Sequence, residues 1–184
     1  MTMIKITHEQ GFTNKECLEE ALATHGFLSK FAIVGVGDKY QLNITQSRRD
    51  VNRTIVENEL KKELDEAIKT ILPTYTKLLA TDDFNAKGFY LKRETKDLEE
   101  ETLVFEKIHA FSEKDVPEQI IIKIRRDYNL TVDTQNFTGN KCRETTRNFE
   151  DAIGQVIWRE MKPEDTTNNR KLRNGQLLEL TICR

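Results

Sequence analysis

Cysteine is the first scarcity that narrows the field. The chain has three, Cys17, Cys142 and Cys183, widely separated and without a C-x-x-C pair. An odd, scattered set argues against a disulfide framework or a zinc knuckle and for a reducing compartment. Histidine is as scarce: His8, His25 and His109 show neither H-x-x-x-H nor H-E-x-x-H spacing, so no metal and no cofactor is expected. No G-x-S-x-G elbow, catalytic-cysteine signature or P-loop occurs. No apolar run approaches a membrane span, and the opening residues MTMIKITHEQ lack the apolar core of a secretion signal. A cytoplasmic protein without membrane contact is expected. Four N-x-T triplets, at Asn43, Asn52, Asn129 and Asn136, therefore read as chance in a chain rich in Asn and Thr.

Charge of one sign is also missing. Twenty-nine basic and 31 acidic residues leave a net charge of −2, so any attraction for nucleic acid or for an acidic partner must come from a local patch. With 37% apolar and 33% charged residues over 184 positions, the chain is foldable as one domain, 1–184, with a flexible loop expected at 163–175.

What is present is apolar periodicity. In Ser47–Leu72, residues Val51, Ile55, Leu60, Leu64, Ile68 and Ile71 recur at near-helical steps, with Val56, Ala67 and Leu72 widening the stripe. Ser47 and Asp50 have the layout of a capping box, and Pro73 supplies a stop. The spacing thus predicts a long helix at about 47–72. A second is predicted at about 144–161 from Phe149, Ala152, Ile153, Val156 and Ile157, with Gly154 as its flaw. A shorter helix begins near Thr13, buries Cys17, Leu18, Ala21 and Leu22, and ends at Gly26.

Strand signals lie at 3–7, 31–35, 40–44, 88–93, 102–110, 130–133 and 177–182. Asp115-Val-Pro-Glu118 looks like a helix start and favours a helix carrying Ile120, Ile121, Ile124 and Tyr128, with a strand through EQIIIKI as the rival. Irregular alternation with two hairpins predicts an α+β fold: antiparallel hairpins packed against the two helices. IVGVGDKY has tyrosine where a dinucleotide fingerprint needs its third glycine, so it reads as a hairpin turn. Glu59-x-Lys61 and Glu160-x-Lys162 resemble a nuclease E-x-K fragment but fall in predicted helices, where solvated charge explains them.

Arg48, Arg49 and Arg53 fall in the first two turns of the predicted long helix, the end whose dipole disfavours cations. Guanidinium groups beside free backbone N–H groups would seat phosphate or carboxylates, although Asp50 and Glu57 are close enough in sequence to neutralise them. Lys141, Arg143 and Arg147 repeat the arrangement at the second helix, offset by Glu144 and Glu150. Lys123, Arg125 and Arg126 would lie at a helix C-terminus, where cations need no ligand. Arg170, Lys171 and Arg173, with Tyr128, Phe137 and Trp158 in the same half, leave nucleic-acid contact open.

The expectation is a non-catalytic binding or regulatory protein that docks on a protein or nucleoprotein complex through a basic helix N-terminus. The alternative is a small enzyme on a phosphate-containing substrate, with the arginines as clamp and His25 or His109 as acid–base group. A homo-oligomer using the long helix is a third reading.

Overall fold

The computed structural model describes residues 2–49, 52–107, 116–126, 129–138, 141–161, 173–174 and 176–182. By its backbone contacts the chain falls into two compact units, Met1–Leu78 and Leu79–Ile182. The fold is α+β, built on antiparallel sheets and three helices.

The first unit contains β1 (Thr2–Thr7), α1 (Lys15–Thr24), β2 (Ala32–Val36), β3 (Lys39–Arg48) and most of α2 (Arg53–Ala86). Its sheet has the order β1-β3-β2, antiparallel throughout. Gly37 at φ +64° and Asp38 make the two-residue turn of the β2–β3 hairpin, with glycine at the first central position as a type II′ turn requires. Asn14 caps α1, its side chain accepting from the Cys17 N–H at 3.0 Å. Thr13, one residue before the cap, hydrogen-bonds with the Tyr75 hydroxyl. Gly26, at φ +72°, ends α1 in a Schellman motif, with Phe27 N–H on Leu22 C=O at 2.8 Å and Gly26 N–H on Ala23 C=O at 3.0 Å.

The long helix differs from its expected bounds at both ends. Ser47 does not cap it, because β3 continues to Arg48, where it pairs with Thr2 of β1. Asp50 and Val51 lie outside the described residues. The cap is Asn52, whose side chain accepts from Thr54 N–H at 3.1 Å. Ile55 is 55% exposed rather than core, while Val56, Leu60, Leu64, Ile68 and Ile71 are buried. Pro73 sits inside the helix, which runs on to Ala86. An interior proline costs about 3 kcal/mol in a lost hydrogen bond and a clash. Beyond it Tyr75, Leu79, Ala80 and Phe84 are all buried. At roughly 1.5–3 kcal/mol for each large apolar side chain, that burial outweighs the proline.

The second unit holds the end of α2, then β4 (Phe89–Lys96), β5 (Glu100–Lys107), β6 (Gln119–Arg125), β7 (Asn129–Gln135), β8 (Phe137–Thr138), α3 (Lys141–Ile153), β9 (Gly154–Met161), β10 (Arg173–Asn174) and β11 (Gln176–Ile182). Six strands form one sheet in the order β4-β5-β6-β7-β11-β9, and β8 pairs with β10. Phe84 anchors the core, with ring centroids 5.1 Å from Phe105, 5.4 Å from Phe149 and 6.5 Å from Phe89.

Two sequence expectations are corrected here. The segment Gln119–Arg125 is a strand, not a helix. Ile120, Ile122 and Ile124 are buried while Lys123 and Arg125 are exposed, a period of two, and β5 and β7 pair with it on both sides. β-Branched isoleucines suit a central strand and lose rotamer freedom in a helix. The second helix spans 141–153 rather than 144–161. Gly154 begins a strand, and Val156, Ile157 and Trp158 belong to β9, which pairs with β11. Apart from Arg173 and Asn174 in β10, the loop expected at 163–175 lies outside the described residues.

Candidate functional site

The arginine cluster is built at the corner where β3 passes into α2. Arg48 ends β3, Arg49 lies exposed in the bend that follows, and Arg53 is the first residue of α2. Only Arg53 stands in the helix. Arg48 Nη1 lies 3.7 Å from Glu59 Oε2, and Arg53 Nε donates to Glu57 Oε1 at 2.7 Å. Arg49 pairs with no acid among the described residues. Both ion pairs are solvent-exposed, the kind that contributes about 0–1 kcal/mol. With Asn52 satisfying one of the helix's first N–H groups, the corner presents side-chain cations rather than an open nest of backbone donors.

Lys141, Arg143 and Arg147 belong to the other unit. They occupy the first two turns of α3 with their side chains exposed, and Arg147 Nε is 3.9 Å from Asp151 Oδ2. Lys123 and Arg125 alternate outward from β6 and flank Glu100 at 3.4 and 3.7 Å, so cross-strand pairing, not a helix dipole, accounts for them. Arg170, Lys171, Tyr128 and His109 lie outside the described residues. Phe137 is buried and stacks on Phe89, a core role.

His8 and His25 do not join the arginines. His25 Nε2 is 2.8 Å from Thr74 Oγ1, and its ring stacks on Phe27. Thr74 is about 30 Å from Arg53 along the axis of α2 at 1.5 Å per residue. His8 lines a cavity of about 290 Å³ with Ile6, Thr7, Glu9, Lys61, Leu64 and Asp65. Its Nδ1 accepts from the Gln10 N–H at 2.9 Å, which places the proton on Nε2, 2.8 Å from Asp65 Oδ1. Both nitrogens are committed, so His8 cannot exchange a proton with a substrate without breaking one of these bonds.

One polar cluster escaped the sequence reading. On the face of the six-stranded sheet opposite Phe105 and Ile120, Glu106 of β5 accepts from Lys92 Nζ at 2.5 Å and from Gln119 Nε2 at 3.0 Å. Tyr90 stands directly across from Glu106 on β4, and Lys92 is the extra residue where the β4–β5 register shifts. The Lys92 hydrogen bond holds the Glu106 carboxyl below the usual glutamate range, against the opposing effect of burial. The same bond raises Lys92 above the usual lysine range. Each shift favours the charged form, whereas an acid–base catalyst needs a value drawn toward neutrality. The pair therefore ties β4 to β5. Its signal in the sequence is a glutamate that directly follows the apolar run Leu103–Phe105 of β5.

Among the described residues no group of three or more His, Cys, Asp or Glu side chains could hold a metal ion, and no helix is long and apolar enough to cross a membrane. The class defined by these observations is an α+β protein with an arginine-bearing corner on its first unit. Comparison with known proteins adds one match. Residues 120–166 match the family described as a protein of unknown function, DUF2997, a stretch that takes in nearly all of β6 and then β7, β8, α3 and β9. No curated protein and no solved structure matches the chain.

Proposed function

We propose that the protein is a non-catalytic binding or regulatory module that docks on the acidic face of a protein or nucleoprotein partner through the corner formed by Arg48, Arg49 and Arg53. The observation that carries this reading is the placement of three guanidinium groups between the end of β3 and the start of α2, one without an acidic partner among the described residues and two held only by single surface carboxylates, Glu59 exposed and Glu57 half-buried. A partner's carboxylates or phosphates can replace Glu57 and Glu59 at little cost, because exposed pairs are weak, and Arg binds such groups bidentately. A net charge of −2 gives the chain no general attraction for anions, so binding of this kind depends on a local patch.

The test uses polyglutamate and single-stranded oligonucleotide as probes for carboxylate and phosphate faces. Binding by the full chain should weaken with added salt. Replacing Arg48, Arg49 and Arg53 together with Ala should cost about tenfold in affinity, roughly 1.4 kcal/mol, with the circular dichroism spectrum unchanged. Equal affinity in the triple variant rejects the corner as the docking site.

A further inference from the structure

The cavity between the end of β1 and α2, about 290 Å³, has no part in the arginine corner. Its floor is apolar, from half-buried Ile6 and fully buried Leu64, and its rim carries His8, Glu9, Lys61 and Asp65. That volume lies at the lower bound of the roughly 300–1,000 Å³ typical of small-molecule sites, a size for a small metabolite.

The charges of the rim are held apart. Lys61 and Asp65 stand one helical turn from each other, a rise of about 6 Å that side chains can bridge. They do not pair. A lysine four residues ahead of an acid is the weaker arrangement on a helix, and His8 Nε2 already donates to Asp65 Oδ1 at 2.8 Å. Among the described residues the Lys61 ammonium and the Glu9 carboxylate have no ion-pair partner, and Asp65 Oδ2 accepts no hydrogen bond. Asp65 is nonetheless fixed. Gln10 N–H donates to His8 Nδ1 at 2.9 Å, which sets the tautomer and aims Nε2–H at the carboxylate. An aspartate that would otherwise rotate in solvent is thus locked, with one oxygen left to accept from a ligand.

We propose that this cavity binds a free α-amino acid with an apolar side chain. Lys61 takes the α-carboxylate, Asp65 Oδ2 and Glu9 take the α-ammonium, and the side chain lies on Ile6 and Leu64. The rim selects this class against others. Two carboxylates facing one ammonium repel phosphate and other dianions. No three His, Cys, Asp or Glu side chains among the described residues could hold a metal ion there. A neutral apolar molecule would cover Lys61 and Asp65 without giving either a partner. The site shares no residue with the arginine corner, so either can fail without the other.

Calorimetric titration of the full chain with leucine tests this. A Kd of about 1 mM or tighter is expected. N-acetyl-leucine lacks the ammonium and leucinamide lacks the carboxylate, so each should bind at least tenfold more weakly. Lys61→Met and Asp65→Asn alter exposed positions and should each weaken leucine at least tenfold, with the circular dichroism spectrum unchanged. His8 is a positioning residue, and His8→Ala should lower the affinity several-fold by releasing Asp65. A pair that merely ties β1 to α2 would lower the unfolding midpoint of that variant and leave leucine binding by the folded chain as it was. That result overturns the proposal. So does a wild-type chain that binds no leucine, a derivative that binds as tightly, or a Lys61→Met variant with unchanged affinity.

Discussion

The phenol of Tyr75 shows how much one atom can hold. The residue is 2% exposed, its ring meets Phe12 edge-on at 4.9 Å, and its oxygen accepts from Thr13 N–H and Asn14 N–H, both at 3.1 Å. Tyr75→Phe keeps the ring and leaves two backbone donors without that acceptor, so a loss of about 1–3 kcal/mol is expected in urea unfolding. Glu106 yields a pH prediction. A carboxyl held below its ordinary value in the folded state contributes stability above the unfolded value, and this is lost as pH falls through the lowered one. Lys92, raised, contributes below the ordinary lysine value and loses it only in strong base. The pair thus stabilises across the neutral range. Unfolding midpoints of wild type and Glu106→Gln should differ at neutral pH and converge below the ordinary glutamate range. At this scale the sequence named the arginines but misjudged their setting. Arg48 follows the strand because Thr2, 46 positions away, pairs with it, and no local pattern records that partnership.

Among the elements, α2 tests how far burial overrules propensity. Pro73 cannot donate to the Lys69 carbonyl, yet the helix continues for 13 residues beyond it. Pro73→Ala should therefore stabilise the protein by about 1–3 kcal/mol, seen as a higher melting temperature and greater helicity. A destabilised variant would mean that the proline's distortion seats Thr74 on His25 and Tyr75 on Thr13. Most elements were legible from the sequence. The α1 stop at Gly26, the Gly37–Asp38 hairpin, the α2 stripe and the final strand all carry their cause within a few residues. The errors share one origin. Ile120–Ile124 satisfies both a helical and a strand spacing, and strands on both sides decide between them. Likewise, Val156–Trp158 continues the apolar pattern of α3, but pairing with β11 makes it a strand from Gly154 onward.

For the molecule as a whole, the notable fact is that one helix serves two hydrophobic cores. Leu64, Ile71 and Tyr75 are buried in the first unit, and Ala80 and Phe84 in the second. Phe84→Ala, which removes the centre of an aromatic cluster, should cost about 3–5 kcal/mol. Calorimetry of the variant should show that loss as a lower transition temperature. Net charge gave the sequence a sound statement about the whole surface and none about what binds to it. No linker composition marks the division into the two units. Boundaries between units commonly fall in exposed linkers. Here the boundary falls between Leu78 and Leu79, inside a helical turn. Scissors placed at that seam would leave each fragment with a torn helix end, and whichever fragment kept the whole rod would carry the other's orphaned apolar residues into water. Gene dissection of this protein should therefore leave residues 53–86 uncut and both units in one piece.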